Sequence, residues 1–376
     1  MRLLPTLTCS LLACFGLVAS GLAAPPAAAA SPVRCVEIDL PVSVPTPRAT
    51  VHGQLCTPAG SAPTTAQLLI SGGTYNSVYW DFPYQPEHYS YQRDMASHGY
   101  ATFAVDQLGT GQSTKPPSAV LLSSVEAAAI HQVVGHLRAG RVSGVRFDRV
   151  ILVGHSLGSG VATLEAATYH DVDGVILTGA THQQPPVNLA KIFTMGVHPV
   201  TLDPRLSKNG SDSGYITTKP GQREALSYST RNADPQVIAT DEATKDQASL
   251  AAIATGEALG LLGPTSRGID VPVLVAVGEK DIVFCGFLGR DCSSVETLRK
   301  GEAPYFGPAA KLSTYVLPEA GHAIALHKNT AKYREATRAW LRTRFPVGAF
   351  SGLSGVIRPS VTPLSLLNAF AVSRGR

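Results

Sequence analysis

One serine lies in a sequence context that is typical of a nucleophile. The stretch VILVGHSLGSG, residues 150–160, passes from a continuous apolar segment into Gly154, Ser156 and Gly158. A strand that ends in Gly-x-Ser-x-Gly and opens a helix turns sharply at the serine, and the glycines remove side chains that would collide with neighbouring backbone. Gly160 allows the following helix to pack closely. The spacing therefore predicts a Ser156 hydroxyl exposed at the end of a buried strand.

A serine hydroxyl is a weak nucleophile until a base takes its proton. Of the eleven histidines, His322 lies in LPEAGHAIALHKN, after the last predicted strand and before the last predicted helix. That position places it at the same sheet edge as the serine. His155 adjoins the serine, but adjacent residues in a tight turn point apart, so we expect it to pack. His327 is predicted to lie inside the next helix. We therefore predict His322 as the base.

The base needs a carboxylate to hold its tautomer. The segment VAVGEKDIVF provides Asp281 at the end of the strand that precedes His322, with Glu279 as an alternative two residues earlier. Asp106 also ends a strand, but it precedes the serine, and DQLGTGQS is typical of a structural turn. The order along the chain therefore favours Asp281 as the partner of the histidine.

Strands alternating with helices must position these residues. Continuous apolar runs are typical of parallel strands covered on both faces. The predicted strands are residues 66–71, 100–106, 149–154, 174–179, 271–278 and 312–317. The predicted helices lie near residues 88–98, 121–138, 157–169 and 330–345. The alternation predicts an α/β fold with a mostly parallel, doubly wound sheet, preceded by an N-terminal hairpin.

About ninety residues separate the strand that ends near Ala180 from the one that begins at Val271. Two helical stretches, residues 183–199 and 234–263, are joined there by a polar loop at residues 207–221. Structureless loops of this length are rare inside compact domains, so we predict a helical lid inserted over the sheet. The predicted division is a signal peptide at 1–30, core at 31–185, a lid at 186–265, core at 266–345 and a C-terminal extension at 346–376.

The N-terminal segment is typical of a secretory signal. Arg2 is the single charge in MRLLPTLTCSLLACFGLVASGLAA, which continues into an apolar run and then small residues. Cleavage is expected after Ala24 or near Ala30. Pro5 and several hydroxyl residues weaken the run as a spanning helix, so we expect removal and no stable membrane anchor. Export would place the protein in an extracellular or periplasm-like, oxidising space.

Four cysteines remain after the expected cleavage: Cys35, Cys56, Cys285 and Cys292. Four cysteines allow three pairings, and we favour 35–56 and 285–292. Residues in hairpin register share a constant index sum, and Cys35 with Cys56 gives the same sum as Glu37 with Gln54. Reduced thiols are the alternative. No CxxC or histidine cluster supports a metal site.

The composition limits the classes of partner. The chain has 376 residues, 44% of them apolar, with 31 basic and 27 acidic residues that give a net charge of +4. The basic excess is small and not clustered, so no nucleic-acid partner is expected. The sequence carries no signal for an oligomeric state.

The segments LLISGGT, DQLGTGQS, VGHSLGSG, VPVLVAVGEKD and PEAGH resemble those of α/β-hydrolase-fold serine hydrolases of the esterase and lipase type, over roughly residues 64–345. The resemblance implies a Ser–His–Asp triad and a two-step acyl-enzyme mechanism without cofactor or metal. The loop after the third strand usually begins His-Gly in the family, whereas this chain has Ser71-Gly72-Gly73. We expect an oxyanion hole from the Leu157 N–H and an N–H of Gly73 or Thr74.

An aromatic stretch, TYNSVYWDFPY at residues 74–84, follows that loop. Tyr79, Trp80 and Phe82 could line an apolar acyl or alcohol pocket, or pack under the lid. The predicted activity is cleavage of small-to-medium apolar carboxylic esters. The same triad could serve thioester or peptide cleavage, acyl transfer or lyase chemistry, and a non-catalytic binding protein is a third reading.

Overall fold

The computed structural model describes residues 32–142 and 144–347. The predicted signal peptide, and the predicted C-terminal extension beyond its first two residues, lie outside these ranges. No helix within them has the length and apolar character needed to cross a membrane. The strands are β1 (Val33–Pro41), β2 (Thr50–Pro58), β3 (Thr65–Ile70), β4 (Ala101–Val105), β5 (Arg149–His155), β6 (Gly174–Thr178), β7 (Val197–Pro199), β8 (Tyr215–Thr218), β9 (Ala248–Ser249), β10 (Val273–Gly278) and β11 (Ser313–Leu317). The α-helices are α1 (Pro86–Tyr89), α2 (Tyr91–Ser97), α3 (Ser123–Ala139), α4 (Leu157–Tyr169), α5 (Pro186–Lys191), α6 (Arg223–Ser227), α7 (Pro235–Thr244), α8 (Leu250–Thr255), α9 (Val295–Glu302) and α10 (Thr330–Arg344).

Eight strands form one sheet in the order β1-β2-β4-β3-β5-β6-β10-β11. Strand β2 pairs antiparallel with both β1 and β4, and every pair from β4 to β11 is parallel. The predicted α/β class, with a mostly parallel sheet and an N-terminal hairpin, is confirmed. In that hairpin Cys35 lies opposite Cys56, and the two are joined by a disulfide. The pairing of Cys35 with Cys56 that the sequence favoured is therefore present in the structure.

The central strand β5 shows why the apolar runs are continuous. Its residues alternate between two hydrophobic cores: Val150 and Leu152 belong to one, and Ile151 and Val153 to the other. The first core includes the apolar faces of α3 and α4, and the second includes those of α2 and α10. Because helices cover both faces, the central positions of the strand, from Val150 to Val153, are all buried and apolar.

Residues 186–265, here called the insert, connect β6 to β10. They contain α5 to α8 and an antiparallel three-stranded sheet in the order β7-β8-β9. The sequence predicted only helices joined by a polar loop, whereas β8 lies inside that loop and is fully buried. The Tyr215 hydroxyl donates to the carbonyl oxygen of Pro116 at 2.7 Å. Tyr215 and Pro116 lie 99 positions apart, so a local sequence pattern could not predict this contact.

Candidate active site

Ser156 lies at a strained turn between β5 and α4. Its backbone angles are φ 52° and ψ −119°, a conformation that side-chain-bearing residues rarely adopt. A Cβ on Gly154 would lie 2.5 Å from the carbonyl oxygen of Gly158, and one on Gly158 would lie under 3.0 Å from that of Ile70. The contacted atoms belong to backbone and cannot rotate away. Both glycines are therefore required by the close passage of strand, turn and helix.

His322 and Asp281 form a buried pair at the same edge of the sheet. The distance from His322 Nδ1 to Asp281 Oδ2 is 2.9 Å, and the carboxylate is fully buried. The other oxygen, Oδ1, accepts from the backbone N–H of Val283 at 2.8 Å and of Phe284 at 3.3 Å. These backbone donors hold the carboxylate in place, so that it can orient the imidazole.

Ser156 and His322 line one cavity. Among the described residues no hydrogen bond joins the serine hydroxyl to the imidazole. Such contacts are often long without substrate and tighten when it binds. The arrangement places a hydroxyl, an imidazole and its buried carboxylate around one space, in the chain order that was predicted.

The two alternative carboxylates are engaged elsewhere. Glu279 accepts a hydrogen bond from the Lys280 ammonium at 2.8 Å, and this contact lowers the pKa of the Glu279 carboxyl. Asp106 accepts from the backbone N–H groups of Ser77 at 2.9 Å and Gln112 at 2.8 Å. It therefore holds a turn together, as the sequence indicated.

His155 packs between Tyr79 and His322. It is fully buried, stacks on Tyr79 with ring centroids 4.3 Å apart, and lies 4.9 Å from the ring of His322. Burial lowers the pKa of His155 well below its usual value, and the neighbouring His322 lowers it further. His155 therefore packs as a neutral ring, as expected from its place in the turn.

His327 precedes α10 instead of lying inside it, so that prediction was wrong. Its Nε2 accepts from the backbone N–H of Gly321 at 2.8 Å and of Ser229 at 3.1 Å. Its Nδ1 contacts the carbonyl oxygen of Ala323 at 2.9 Å. Burial lowers the pKa of His327 to about 4, which keeps Nε2 an acceptor at neutral pH. These contacts tie the loop that carries His322 to the insert.

The residues predicted to stabilise an oxyanion lie beside Ser156. Gly73, Thr74 and Leu157 line the same cavity. Leu157 is the first residue of α4, so its N–H lies at the positive end of the helix dipole. Among the described residues no backbone carbonyl accepts from the N–H of Gly73 or Leu157. Both N–H groups are thus available to a ligand atom near the serine.

The insert holds the backbone at Thr74, a contact that sequence reasoning missed. Thr74 has a φ of 63°, and its carbonyl oxygen accepts from Arg223 Nη2 at 2.6 Å and from the Asp246 N–H at 2.8 Å. Arg223 Nη1 also donates to Thr74 Oγ1 at 3.1 Å. The buried guanidinium lies 4.0 Å from the Tyr75 ring centroid and 3.5 Å from Asp241. No motif in the sequence marks Arg223.

The cavity encloses about 790 Å³ of empty space including its mouth, and most of its lining is apolar. The apolar residues that the insert contributes are Leu189, Ile192, Phe193, Val197, Ile216, Leu226, Ile253 and Leu261. Tyr79, Trp80 and Phe82 are not part of the lining, which corrects the pocket prediction. They are buried in the second core, where Trp80 packs edge-on against Tyr79. Tyr75, earlier in the same stretch, lines the cavity instead.

The second disulfide lies directly after the buried carboxylate. Cys285 and Cys292 are bonded, seven residues apart, and the Cys285 N–H donates to the carbonyl oxygen of Asp281 at 2.8 Å. Phe284, the residue before Cys285, lies 5.9 Å from the ring of His322 and lines the cavity. The disulfide therefore closes a short loop that borders the site.

Comparisons with known proteins agree with this architecture. A model of the alpha/beta hydrolase family matches residues 67–336. An esterase from Thermogutta terrifontis is 19% identical, with a TM-score of 0.57, over 81% of this chain and 98% of that one. The carboxylesterase CesB (YbfK) from Bacillus subtilis is 15% identical, with a TM-score of 0.52, over 81% of this chain and 92% of that one. A comparison with curated proteins gave no match.

Structural likeness at these identities shows the fold alone. The family model adds more, because it spans well over half of the chain and includes the serine turn, the buried aspartate and the histidine loop. The chain therefore belongs to the alpha/beta hydrolase family.

Proposed function

We propose that this protein is a secreted serine hydrolase that cleaves carboxylic esters of small-to-medium apolar substrates. One observation carries the proposal: Ser156, on its strained turn, shares a cavity with His322, whose imidazole contacts the buried Asp281 at 2.9 Å. A hydroxyl, a base and an orienting carboxylate are the parts that acyl transfer through serine requires.

In the proposed mechanism Ser156 attacks the ester carbonyl while His322 takes the hydroxyl proton. The tetrahedral oxyanion accepts hydrogen bonds from the N–H groups of Leu157 and of Gly73 or Thr74. His322 then returns the proton to the leaving alcohol, and an acyl-serine remains. Water, deprotonated by His322, attacks the acyl group; His322 then returns this proton to the serine oxygen as the bond to the acyl group breaks, which releases the carboxylic acid and restores the free serine. Asp281 keeps the imidazole oriented and stabilises its protonated form.

The substrate class follows from the cavity. Its lining suits an apolar acyl or alcohol group. Eight of the apolar lining residues come from the insert, which we propose acts as a lid over the serine. The carboxylesterase and the esterase that resemble the chain are consistent with ester chemistry.

Secretion is proposed on two grounds. The N-terminal segment has the composition of a secretory signal. The two disulfides are bonds that persist in oxidising compartments and are rare in the cytosol.

Labelling of the purified protein with a fluorophosphonate, read by intact mass, tests the proposal. We expect one adduct on the wild type and none on Ser156→Ala. Ser159→Ala is the matched control and should keep the adduct. The Ser159 hydroxyl, on the same helix α4, donates to the carbonyl oxygen of Thr178 on β6 and should not react. A p-nitrophenyl ester series of increasing chain length then measures the size of the acyl pocket. No adduct on folded wild-type protein, or an adduct that persists in Ser156→Ala, would contradict the proposal.

A further inference from the structure

Three side chains with metal-binding atoms meet outside the cavity. His131 on α3, Glu165 on α4 and Asp171 just after α4 place one donor atom each within 4.8 Å of one another. His131 Nδ1 already lies 2.7 Å from Asp171 Oδ2. The proposed reaction uses none of the three, and Glu165 lies nine residues beyond Ser156 along α4.

Glu165 is the unusual member of this cluster. It is fully buried, and among the described residues neither of its carboxylate oxygens has a hydrogen-bond partner. Asp171 Oδ1 is likewise buried without a partner. A buried carboxylate without a donor is unstable unless a proton or a cation compensates it.

Arg138 does not donate a hydrogen bond to the buried Glu165 carboxylate. Its guanidinium donates to the carbonyl oxygen of Asp171 at 2.7 Å and to the Asp173 carboxylate at 2.6 Å. It also donates to the carbonyl oxygen of Asp148 at 2.9 Å, and it makes no hydrogen bond to Glu165. Within residues 32–142 and 144–347, no cationic side chain is therefore hydrogen-bonded to the two Glu165 oxygens that face this space.

We propose that His131, Glu165 and Asp171 bind one Zn²⁺ ion. One imidazole nitrogen and two carboxylate oxygens form a set that suits zinc, whereas calcium and magnesium prefer oxygen alone. Donors around tetrahedral zinc lie about 3.4 Å apart, so small side-chain rotations bring the present atoms into range. Water completes the coordination. The ion joins α3 to α4 and stabilises the fold without taking part in ester cleavage.

Metal-ligand spacing in the sequence did not reveal this site, and the prediction of no metal is revised by the proposal. His131 and Glu165 lie 34 residues apart, without the short repeat that marks common zinc motifs. Only the packing of α3 on α4 brings them together.

The test uses the protein as it remains after the expected signal cleavage. Bound metal is removed with EDTA, the EDTA is removed by dialysis, and Zn²⁺ is the probe. Isothermal titration and native mass spectrometry measure stoichiometry, and a thermal melt measures stabilisation. The variants are Glu165→Gln and His131→Gln. His52→Gln is the matched control, because His52 also contacts two carboxylates, Asp39 at 2.8 Å and Glu37 at 3.1 Å.

We expect one Zn²⁺ per chain and a rise of at least about 3 °C in melting temperature at a hundredfold excess over the dissociation constant. Both cluster variants should lose the binding, the His52 control should keep it, and fluorophosphonate labelling should not change with EDTA. Absence of saturable binding in the wild type would overturn the proposal, as would equal binding by Glu165→Gln. A wild-type protein whose melting temperature does not respond to zinc, together with a more stable Glu165→Gln variant, would identify a protonated Glu165 instead and overturn the proposal.

Discussion

Arg223, a buried residue of the insert, donates a hydrogen bond of 2.6 Å to the carbonyl oxygen of Thr74. The contact spans 149 positions of the chain. It fixes one peptide next to Ser156 from outside the parallel sheet. The insert therefore does more than cover the cavity, because it also sets the position of the backbone that faces the serine.

Replacing Arg223 by Met should lower kcat by roughly ten- to a hundredfold, as expected when an oxyanion donor is misplaced. The KM for a p-nitrophenyl ester should change far less. Arg223→Lys keeps one donor within reach of Thr74 and should recover part of the lost kcat. Equal loss in both variants, in step with a lower melting temperature, would indicate that Arg223 acts only on stability.

Two substitutions at Ser156 should separate activity from strain. Ser156→Ala and Ser156→Gly both remove the hydroxyl and should lower kcat by at least about 10⁴-fold. Because φ is 52° at this position, only glycine relieves the strain. The free energy of unfolding of the Gly variant should therefore be about 1–2 kcal/mol higher than that of the Ala variant. Urea denaturation of both variants measures the difference, and equal stability would show that the turn is not strained.

Gly158→Ala should prevent the nucleophile turn from forming. The added Cβ would lie under 3.0 Å from the carbonyl oxygens of Ile70 and Ser71, which cannot move without shifting β3. We expect loss of soluble protein or of fluorophosphonate labelling. Gly135→Ala on α3 is the control, since its Cβ would meet open space and should stabilise the helix by up to about 1 kcal/mol. A fully labelled Gly158→Ala protein would contradict the proposed packing.

Acid should destabilise the protein through His327. Its pKa is about 4 in the folded protein against a usual 6.5, so the unfolded chain takes up the proton first as the pH falls. The neutral ring contributes its full stability above pH 6.5, and roughly 3 kcal/mol is lost between pH 6.5 and 4. Urea unfolding at pH 7 and pH 4 should show a smaller acid loss in His327→Gln. His98→Gln, at an exposed position, should behave like the wild type.

The two disulfides should differ in which property they affect more: the hairpin disulfide should contribute more to stability, and the one near Asp281 should contribute more to activity. Removing Cys35 and Cys56, which lie 21 residues apart, should cost about 3.4 kcal/mol, against about 2.5 kcal/mol for the pair seven residues apart. Only the latter pair, Cys285 and Cys292, borders Asp281, so its double alanine variant should lose more kcat/KM. Greater loss of activity from the hairpin pair would contradict this assignment. Unfolding free energies and ester kinetics measure both effects.

Much of the fold and of the candidate site could be predicted because its signals are local. Apolar runs at β3 to β6 indicate buried strands, since a parallel strand covered on both faces is mostly apolar along its whole length. Gly154 and Gly158 mark a turn whose steric demand lies within a few residues of Ser156. His322 and Asp281 follow successive strands whose ends meet at one sheet edge. The hairpin predicted from residues 34–56 allows a register that places Cys35 opposite Cys56, and the structure has that register.

Other features were decided only by tertiary packing. Arg223 reaches Thr74, and Glu165 lies beside His131, because distant elements pack together. Tyr79 belongs to the core and not to the cavity, since its neighbours, not its residue type, determine which side it faces. Strand β8 forms inside a polar stretch because β7 and β9 supply hydrogen bonds from far along the chain. Residue patterns specify which groups are buried and which element they form, but contact partners are chosen by packing over the whole chain.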